Sequence, residues 1–165
     1  MTKPHFPWGE GVYPEGGLAS AKWSYAHDLV NMYLGIAHFA DNELSPEEQR
    51  TFMARFGQWV EDVSLEQFEK IWSEVVKAYD AHSTREQRYG AYLQSVLNVA
   101  RFFGDTKERL RAVIRDLVEI AGADGKLHEN EVTMIKAAAI TYGLSADMRV
   151  NVKTGRVELT LSEAN

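Results

Sequence analysis

The sequence predicts a compact all-α domain of about six helices, followed by a C-terminal β-hairpin. Apolar residues recur at helical spacing through most of the chain, helix-capping residues precede several of these segments, and apolar and polar residues alternate after Leu144. With 165 residues, one domain can bury a sufficient core without a metal or a disulfide. We therefore divide the chain into an irregular aromatic arm (residues 1–18), a helical domain (residues 19–145) and a hairpin tail (residues 146–165).

The first segment is expected to be irregular because most of the prolines and several glycines of the chain fall within it. It also contains Phe6, Trp8 and Tyr13, which favour packing of the arm on the helical core, or a lid or partner-binding arm. No segment of the chain has the apolar run of a secretory signal or a membrane span. We therefore expect a cytoplasmic protein without membrane insertion.

The helical domain is predicted from apolar residues that share one face of each segment. Start signals reinforce the pattern: Ser45 precedes Pro46 and Glu48, and Ser83 with Glu86 predicts a capping box. Gly143 is suited to end the last helix. The apolar positions that define the six segments are Leu29, Tyr33, Ile36; Phe52, Phe56, Trp59; Phe68, Ile71, Val75; Tyr89, Leu93, Val96; Leu110, Val113, Leu117; and Val132, Ile135, Ala139.

The tail alternates apolar and polar residues on both sides of Gly155, which is typical of a β-hairpin. The pattern predicts a four-residue loop, residues 153–156, with Val152 paired to Val157. Because a lone two-stranded hairpin is marginally stable in water, we expect it to dock on the helices or on a second copy in a homodimer.

Composition and the absence of several motifs exclude whole classes of function. The chain has no cysteine, which rules out disulfides, thiolate metal sites and iron–sulfur clusters. Its net charge of -6 argues against nucleic acid as a partner, because nucleic acid requires a concentrated basic surface. Glu-x-x-His pairs, His-Glu-x-x-His, a phosphate-binding Gly-rich loop and Gly-x-Ser-x-Gly are all missing, which argues against the enzyme classes that use these motifs.

The most informative feature is an internal repeat. Residues 40–48 align with residues 123–131, and the two copies share an Ala-Asp pair, a Leu and a final Glu. Apolar positions on both sides match in kind, for example Val30 with Val113. Each copy is predicted to be a helix, a tight acidic turn and a second helix.

The repeated Ala-Asp-Gly-x-Leu-x-x-x-Glu pattern resembles the tellurite-resistance TerB family, over about residues 19–144. This resemblance implies an all-helical cytoplasmic fold, a link to tellurite resistance and other stress responses, and no established enzymatic activity. It also implies an acidic surface that binds a divalent metal. From the repeat and its acidic turns we expect binding of a divalent cation (calcium, magnesium or manganese) or of a protein partner. The positions that match are Asp41, Glu48, Asp124 and Glu131.

The two acidic positions of each copy differ in their electrostatic setting. Glu48 and Glu131 fall in the first turn of a helix, where a carboxylate is stabilised by the helix dipole and can close a capping box. Asp41 and Asp124 are placed at the end of a helix, where a negative charge costs about 0.3–1 kcal/mol. A cation, backbone amides or a basic side chain could offset that cost. If the two turns approach each other, four carboxylates could share one ion.

Histidines are secondary metal candidates. His38 lies three residues before Asp41, and His128 lies near the second acidic turn, but the repeat does not duplicate either one. A surface or capping position is the alternative for both, and also for His27. The alternative function is a small-ligand-binding protein or an enzyme with a pocket between helices, served by His27, His38 or tyrosines.

Overall fold

The computed structural model describes residues 25–39, 51, 54–55, 65–103, 106–123 and 125–164. These residues are mostly helical and end in an antiparallel hairpin, which confirms the predicted fold class. The elements are α1 (Tyr25–Phe39), α2 (Leu65–Ala81), α3 (Arg85–Phe103), α4 (Lys107–Ala121), α5 (Glu129–Thr141), β1 (Leu144–Val150) and β2 (Val157–Glu163).

Two predicted segments lie outside these residues, wholly or in large part. The aromatic arm, residues 1–18, is outside them altogether. Most of the helix predicted between Ser45 and Val63 is also outside, although Thr51, Ala54 and Arg55 are described and have helical backbone. A sixth helix and the internal duplication therefore remain predictions.

Helix α1 forms the centre of the core. Every residue from Ala26 to Ala37 is buried, and α2, α3, α4 and α5 all pack against this helix. A helix that is apolar on nearly all faces is stable only when other elements cover it all round. The other described helices contribute buried apolar side chains to the core around α1. Among the described residues, no helix is long and apolar enough to span a membrane.

The start of α3 is capped one residue later than predicted. The Thr84 hydroxyl accepts a hydrogen bond from the Gln87 amide at 3.1 Å, and the Gln87 side chain accepts one from the Ser83 amide at 2.8 Å. The capping box predicted for Ser83 and Glu86 is therefore wrong. The same chemistry is present, but Thr84 and Gln87 provide it because α3 begins at Arg85.

The end of α5 agrees with the prediction. Gly143 has a φ of 74°, and its amide donates to the Ile140 carbonyl at 2.9 Å. Lys107, the first residue of α4, donates from Nζ to the carbonyls of Tyr142 at 3.1 Å and Gly143 at 3.4 Å. A cation at the carbonyl end of α5 is favoured by the helix dipole, so this contact ties α4 to the connection between α5 and β1.

The hairpin forms with a different register from the predicted one. Val150 pairs with Val157, so the predicted pairing of Val152 with Val157 is wrong. The reason is Asn151, whose side-chain oxygen accepts hydrogen bonds from the amides of Lys153 at 2.9 Å and Thr154 at 3.2 Å. This local turn begins the loop at Asn151 and leaves Val152 94% exposed. The apolar face of the two strands packs on α4 and α5, which confirms that the hairpin docks on the helices.

Candidate functional site

The second acidic turn begins where α4 ends, at Ala121. The amides of Gly122 and Gly125 donate to the carbonyls of Val118 and Gly122, each at 2.9 Å. Gly125 has a φ of 78°, a conformation that side chains with a Cβ rarely adopt. The tight turn predicted for the second copy is thus present, and it leads into α5 within a few residues.

Glu131 secures the start of α5. Its side chain is 1% exposed, and Oε1 accepts a hydrogen bond from the His128 amide at 2.9 Å. A carboxylate in the first turn of a helix is stabilised by the dipole and by the free amides there. The capping role predicted for Glu131 is therefore confirmed, whereas its role as a metal ligand stays a prediction.

The other three predicted metal ligands, Asp41, Glu48 and Asp124, lie outside the described residues, and their role stays a prediction. Within the described residues α1 runs to Phe39 and α4 to Ala121, and the electrostatic cost predicted for Asp41 and Asp124 stays a prediction as well.

The two histidines proposed as secondary ligands have other contacts. His38, at the end of α1, has Nδ1 3.0 Å from the Tyr79 hydroxyl of α2, with the two rings edge to face. His128 is the residue that precedes α5 and has extended backbone. Within the described part of the chain, no group of three or more histidine, aspartate or glutamate side chains is arranged to hold a metal ion.

The second acidic turn and the hairpin loop enclose a cleft of about 740 Å³, which the sequence analysis missed. The cleft is lined by residues of the turn, by Thr154 and Arg156 of the loop, and by Thr51. The hairpin lies directly on the turn: a Cβ built on Gly122 would be 2.5 Å from Val157 Cγ2. A glycine beside the acidic motif was the sequence signal for this close approach, but the partner that approaches it is distant in the chain.

One wall of the cleft carries an ion-pair group. Arg55 forms an ion pair with Glu119, a lining residue of α4, and its Nε lies 3.8 Å from Asp116 Oδ1. Tyr33 of α1 donates to Asp116 Oδ2 at 2.7 Å, and both side chains are buried. Tyr33 and Asp116 are separated by 83 residues, which is the offset of the internal repeat. The two helices predicted to be equivalent therefore contact each other at equivalent positions.

A second polar group lies between α1 and α3. Asp28 Oδ1 accepts hydrogen bonds from the Ser95 hydroxyl at 3.0 Å and from Asn98 Nδ2 at 3.2 Å. Asn31 donates to the same Ser95 hydroxyl at 3.0 Å. The hydrogen bonds of Asp28 and Ser95 fix the relative positions of α1 and α3 within an otherwise apolar core. Burial raises the pKa of the nearby Tyr142, and the Asp28 carboxylate raises it further, so this phenol stays protonated.

His27 lies in the core, and the surface or capping position predicted for it is wrong. It is 0% exposed, with Nε2 3.7 Å from the Glu74 carboxylate of α2. Burial lowers the pKa of His27, and the Glu74 carboxylate partly opposes this effect. The prediction failed because burial of α1 on every face depends on how many helices surround it, which its own spacing does not show.

The fold and the site together define a class of protein: a helical domain with an acidic helix–turn–helix segment, in which a buried glutamate caps the second helix. The family model of the tellurite resistance protein TerB matches residues 27–154, and the chain belongs to the TerB family. The resemblance carried by the repeated motif is thereby confirmed, and the match extends from α1 into the hairpin loop. No curated protein and no solved structure matches the chain.

Proposed function

We propose that this chain is a non-enzymatic module of tellurite-resistance type that acts in a cytoplasmic stress response. Its two acidic turns bind a divalent cation, or a protein partner that supplies positive charge. Membership of the TerB family supports the general assignment. The more specific assignment depends on whether carboxylates of the two turns lie near one another.

The observation that carries the proposal is the position of Thr51 in the cleft beside the second acidic turn. Thr51 follows the first acidic turn and is six residues from the predicted cap Ser45, or about 9 Å of helix. In the helix predicted to begin after Ser45, Glu48 precedes Thr51 by three residues, and this spacing predicts that it shares a face with Thr51 and Arg55. Since Thr51 lines the cleft and Arg55 contacts α4, this face is directed towards the second turn.

The chemistry of the available ligands decides the class of metal. Carboxylate and backbone oxygens suit calcium, magnesium and manganese, and the chain has no thiolate for softer ions. Arg55 is already engaged by Asp116 and Glu119, so its charge is largely balanced before the carboxylates of the turns are considered. A bound cation would balance the carboxylates of the two turns.

The test is thermal unfolding of metal-stripped protein with calcium, magnesium, manganese and zinc in turn. An ion at 100 times its Kd stabilises the fold by about 2.7 kcal/mol, a shift of about 5–10 °C for a chain of this size. We expect the shift to vanish in the Asp41→Asn, Asp124→Asn double variant. It should persist in the matched control Asp80→Asn, Glu69→Gln, which removes two exposed carboxylates of α2.

The outcomes separate the two forms of the proposal. A shift that survives in the double variant places the ion elsewhere and contradicts the assignment to these turns. If no ion shifts the transition, the cation form is wrong, and a basic protein partner is sought with the same variants as bait. A partner that binds the wild type and the double variant equally would contradict that form as well.

Small-ligand binding is the second candidate function, and the cleft is the observation that favours it. Its volume of about 740 Å³ lies within the range of ordinary ligand pockets. His27 and His38, which the sequence suggested for such a site, do not line the cleft. A metabolite panel in the same thermal assay tests this function, with Arg156→Ala as the variant that should abolish a ligand-induced shift.

A further inference from the structure

Strand β1 has an edge that no described residue pairs with, since the described sheet contains only β1 and β2. The Asn151 amide donates to the Arg156 carbonyl at 2.7 Å, and the Ala164 amide donates to the Gly143 carbonyl at 3.0 Å. Hydrogen-bonded pairs alternate along an antiparallel ladder, so the odd-numbered residues of β1 bond to β2. The backbone groups of Ala146, Met148 and Val150 therefore point to the other edge.

We propose that this edge pairs with the same edge of a second copy of the chain, forming a symmetric dimer with a four-stranded sheet. The two β1 strands run antiparallel around a two-fold axis at Met148. Ala146 then lies opposite Val150 of the second copy, and Asp147 lies opposite Arg149 of the second copy. Such an interface is self-complementary, as two-fold symmetry requires.

The charges on the exposed face of β1 select this register. Asp147 and Arg149 are both exposed and lie on either side of Met148, so an axis at Met148 creates two opposite-charge pairs. An axis at Asp147 places two carboxylates opposite each other, and an axis at Arg149 places two guanidinium groups opposite each other. An axis at Ala146 brings neither charge opposite the other. Of these four registers, the Met148 register alone is complementary in charge.

The same comparison favours β1 over the outer edge of β2. The outward-facing side chains of β2 are Glu158, Thr160 and Ser162, which include no cation. Self-pairing of β2 therefore gains no opposite-charge pair. On β1, Arg149 already binds Glu158 at 3.2 Å within the chain, and the dimer would extend this pair into a row across the four strands.

Apolar exposure beside the edge gives independent support. Met148 and Val150 lie on the face that packs against the helices, but both remain half-buried towards the hairpin loop. The adjoining Val152 is 94% exposed. An unpaired strand edge with apolar side chains next to it is a site for pairing with another chain, and the proposed register covers Met148 and Val150.

The first test measures molar mass by light scattering or sedimentation over a range of concentrations. The wild type should approach twice the 18.7 kDa of the chain. Asp147→Arg and Arg149→Asp each create like-charge pairs and should raise the dissociation constant about tenfold or more. A 1:1 mixture of the two variants should recover dimers, and the double exchange should recover self-association. A wild type that stays monomeric at millimolar concentration, or variants that dimerise like the wild type, would overturn the proposal.

The second test does not depend on the charges. A single cysteine introduced by Met148→Cys would lie on the axis, where paired Cα atoms are about 5.5 Å apart, within the range of a disulfide. We expect a covalent dimer under mild oxidation, because the natural chain has no cysteine. Thr160→Cys on β2 is the control, and a covalent dimer formed by this variant but not by Met148→Cys would refute the interface. Circular dichroism shows that each variant is folded before either comparison is made.

Discussion

The contact between the second acidic turn and the hairpin predicts a steric effect of Gly122→Ala. The backbone of Gly122 has φ -91° and ψ 5°, which alanine adopts without strain. The added Cβ would lie 2.5 Å from Val157 Cγ2 and 3.3 Å from the Val118 carbonyl oxygen. Because carbon atoms in contact lie about 3.5–4.0 Å apart, either the hairpin or the Val157 side chain must move.

The magnitude follows from two opposing terms. Overpacking of this kind costs about 1–3 kcal/mol, whereas the smaller conformational freedom of alanine in the unfolded chain returns about 0.4–1 kcal/mol. Gly122→Ala should therefore lower the free energy of unfolding by about 0.5–2 kcal/mol. When Val157→Ala removes Cγ2, the nearest remaining atom is Val157 Cβ at 3.3 Å, and the same change at Gly122 should cost almost nothing.

The assay is a double-mutant cycle measured by urea unfolding of the wild type, the two single variants and the double variant. We expect a coupling energy of about 1–2 kcal/mol, with the double variant more stable than the sum of the single effects allows. Independent sites add within about 0.3–0.5 kcal/mol. A coupling below that limit would show that the hairpin does not pack on the turn, and the cleft between them would lose its support.

Three further predictions concern the core and the helix ends. Tyr33→Phe removes a buried hydrogen bond to the Asp116 carboxylate and should lower the free energy of unfolding by about 1.5–3 kcal/mol. Tyr92→Phe removes a hydrogen bond to a backbone carbonyl and should lower it by about 0.5–1.5 kcal/mol. The reverse order of the two variants in urea unfolding would contradict this. Lys107→Met should cost about 0.5–1.5 kcal/mol by thermal unfolding, because two carbonyls at the end of α5 lose their donor, and an unchanged midpoint would refute that role. Burial lowers the pKa of His27, so the unfolded chain binds the proton more tightly; stability should fall as pH decreases through about 6.5, and His27→Gln should flatten this dependence between pH 7.5 and 5.5.

Much of the fold could be predicted because its signals are local. Residues three and four positions apart share one face of a helix, and a capping residue acts within one helical turn. Glu131 and Gly143 therefore have the roles that their positions in the sequence indicated. Even the error at the start of α3 was a shift of one residue between neighbouring cap residues, since Ser83 and Thr84 carry the same hydroxyl chemistry.

Features that depend on distant partners were beyond such local signals. The hairpin register is an exception, because the Asn151 side chain that decides where the loop begins acts on amides two and three residues away. Gly122 directly precedes the repeated motif, but the close approach of Val157 requires the hairpin to fold back onto the turn. The hydrogen bond from Tyr33 to Asp116 joins two helices that the repeat predicted to be equivalent without indicating that they touch.

By itself, the sequence determined the class of fold, the family and the acidic helix–turn–helix motif, because periodicity, caps and a repeated pattern depend on short stretches of chain. The tertiary structure decided what surrounds each element. It placed His27 in the core, joined Asp116 and Glu119 through Arg55, and formed the cleft beside the second turn. These arrangements depend on how helices that are far apart in the sequence pack together on α1. The free energy of that packing depends on all the core residues at once, so no short stretch of chain determines it.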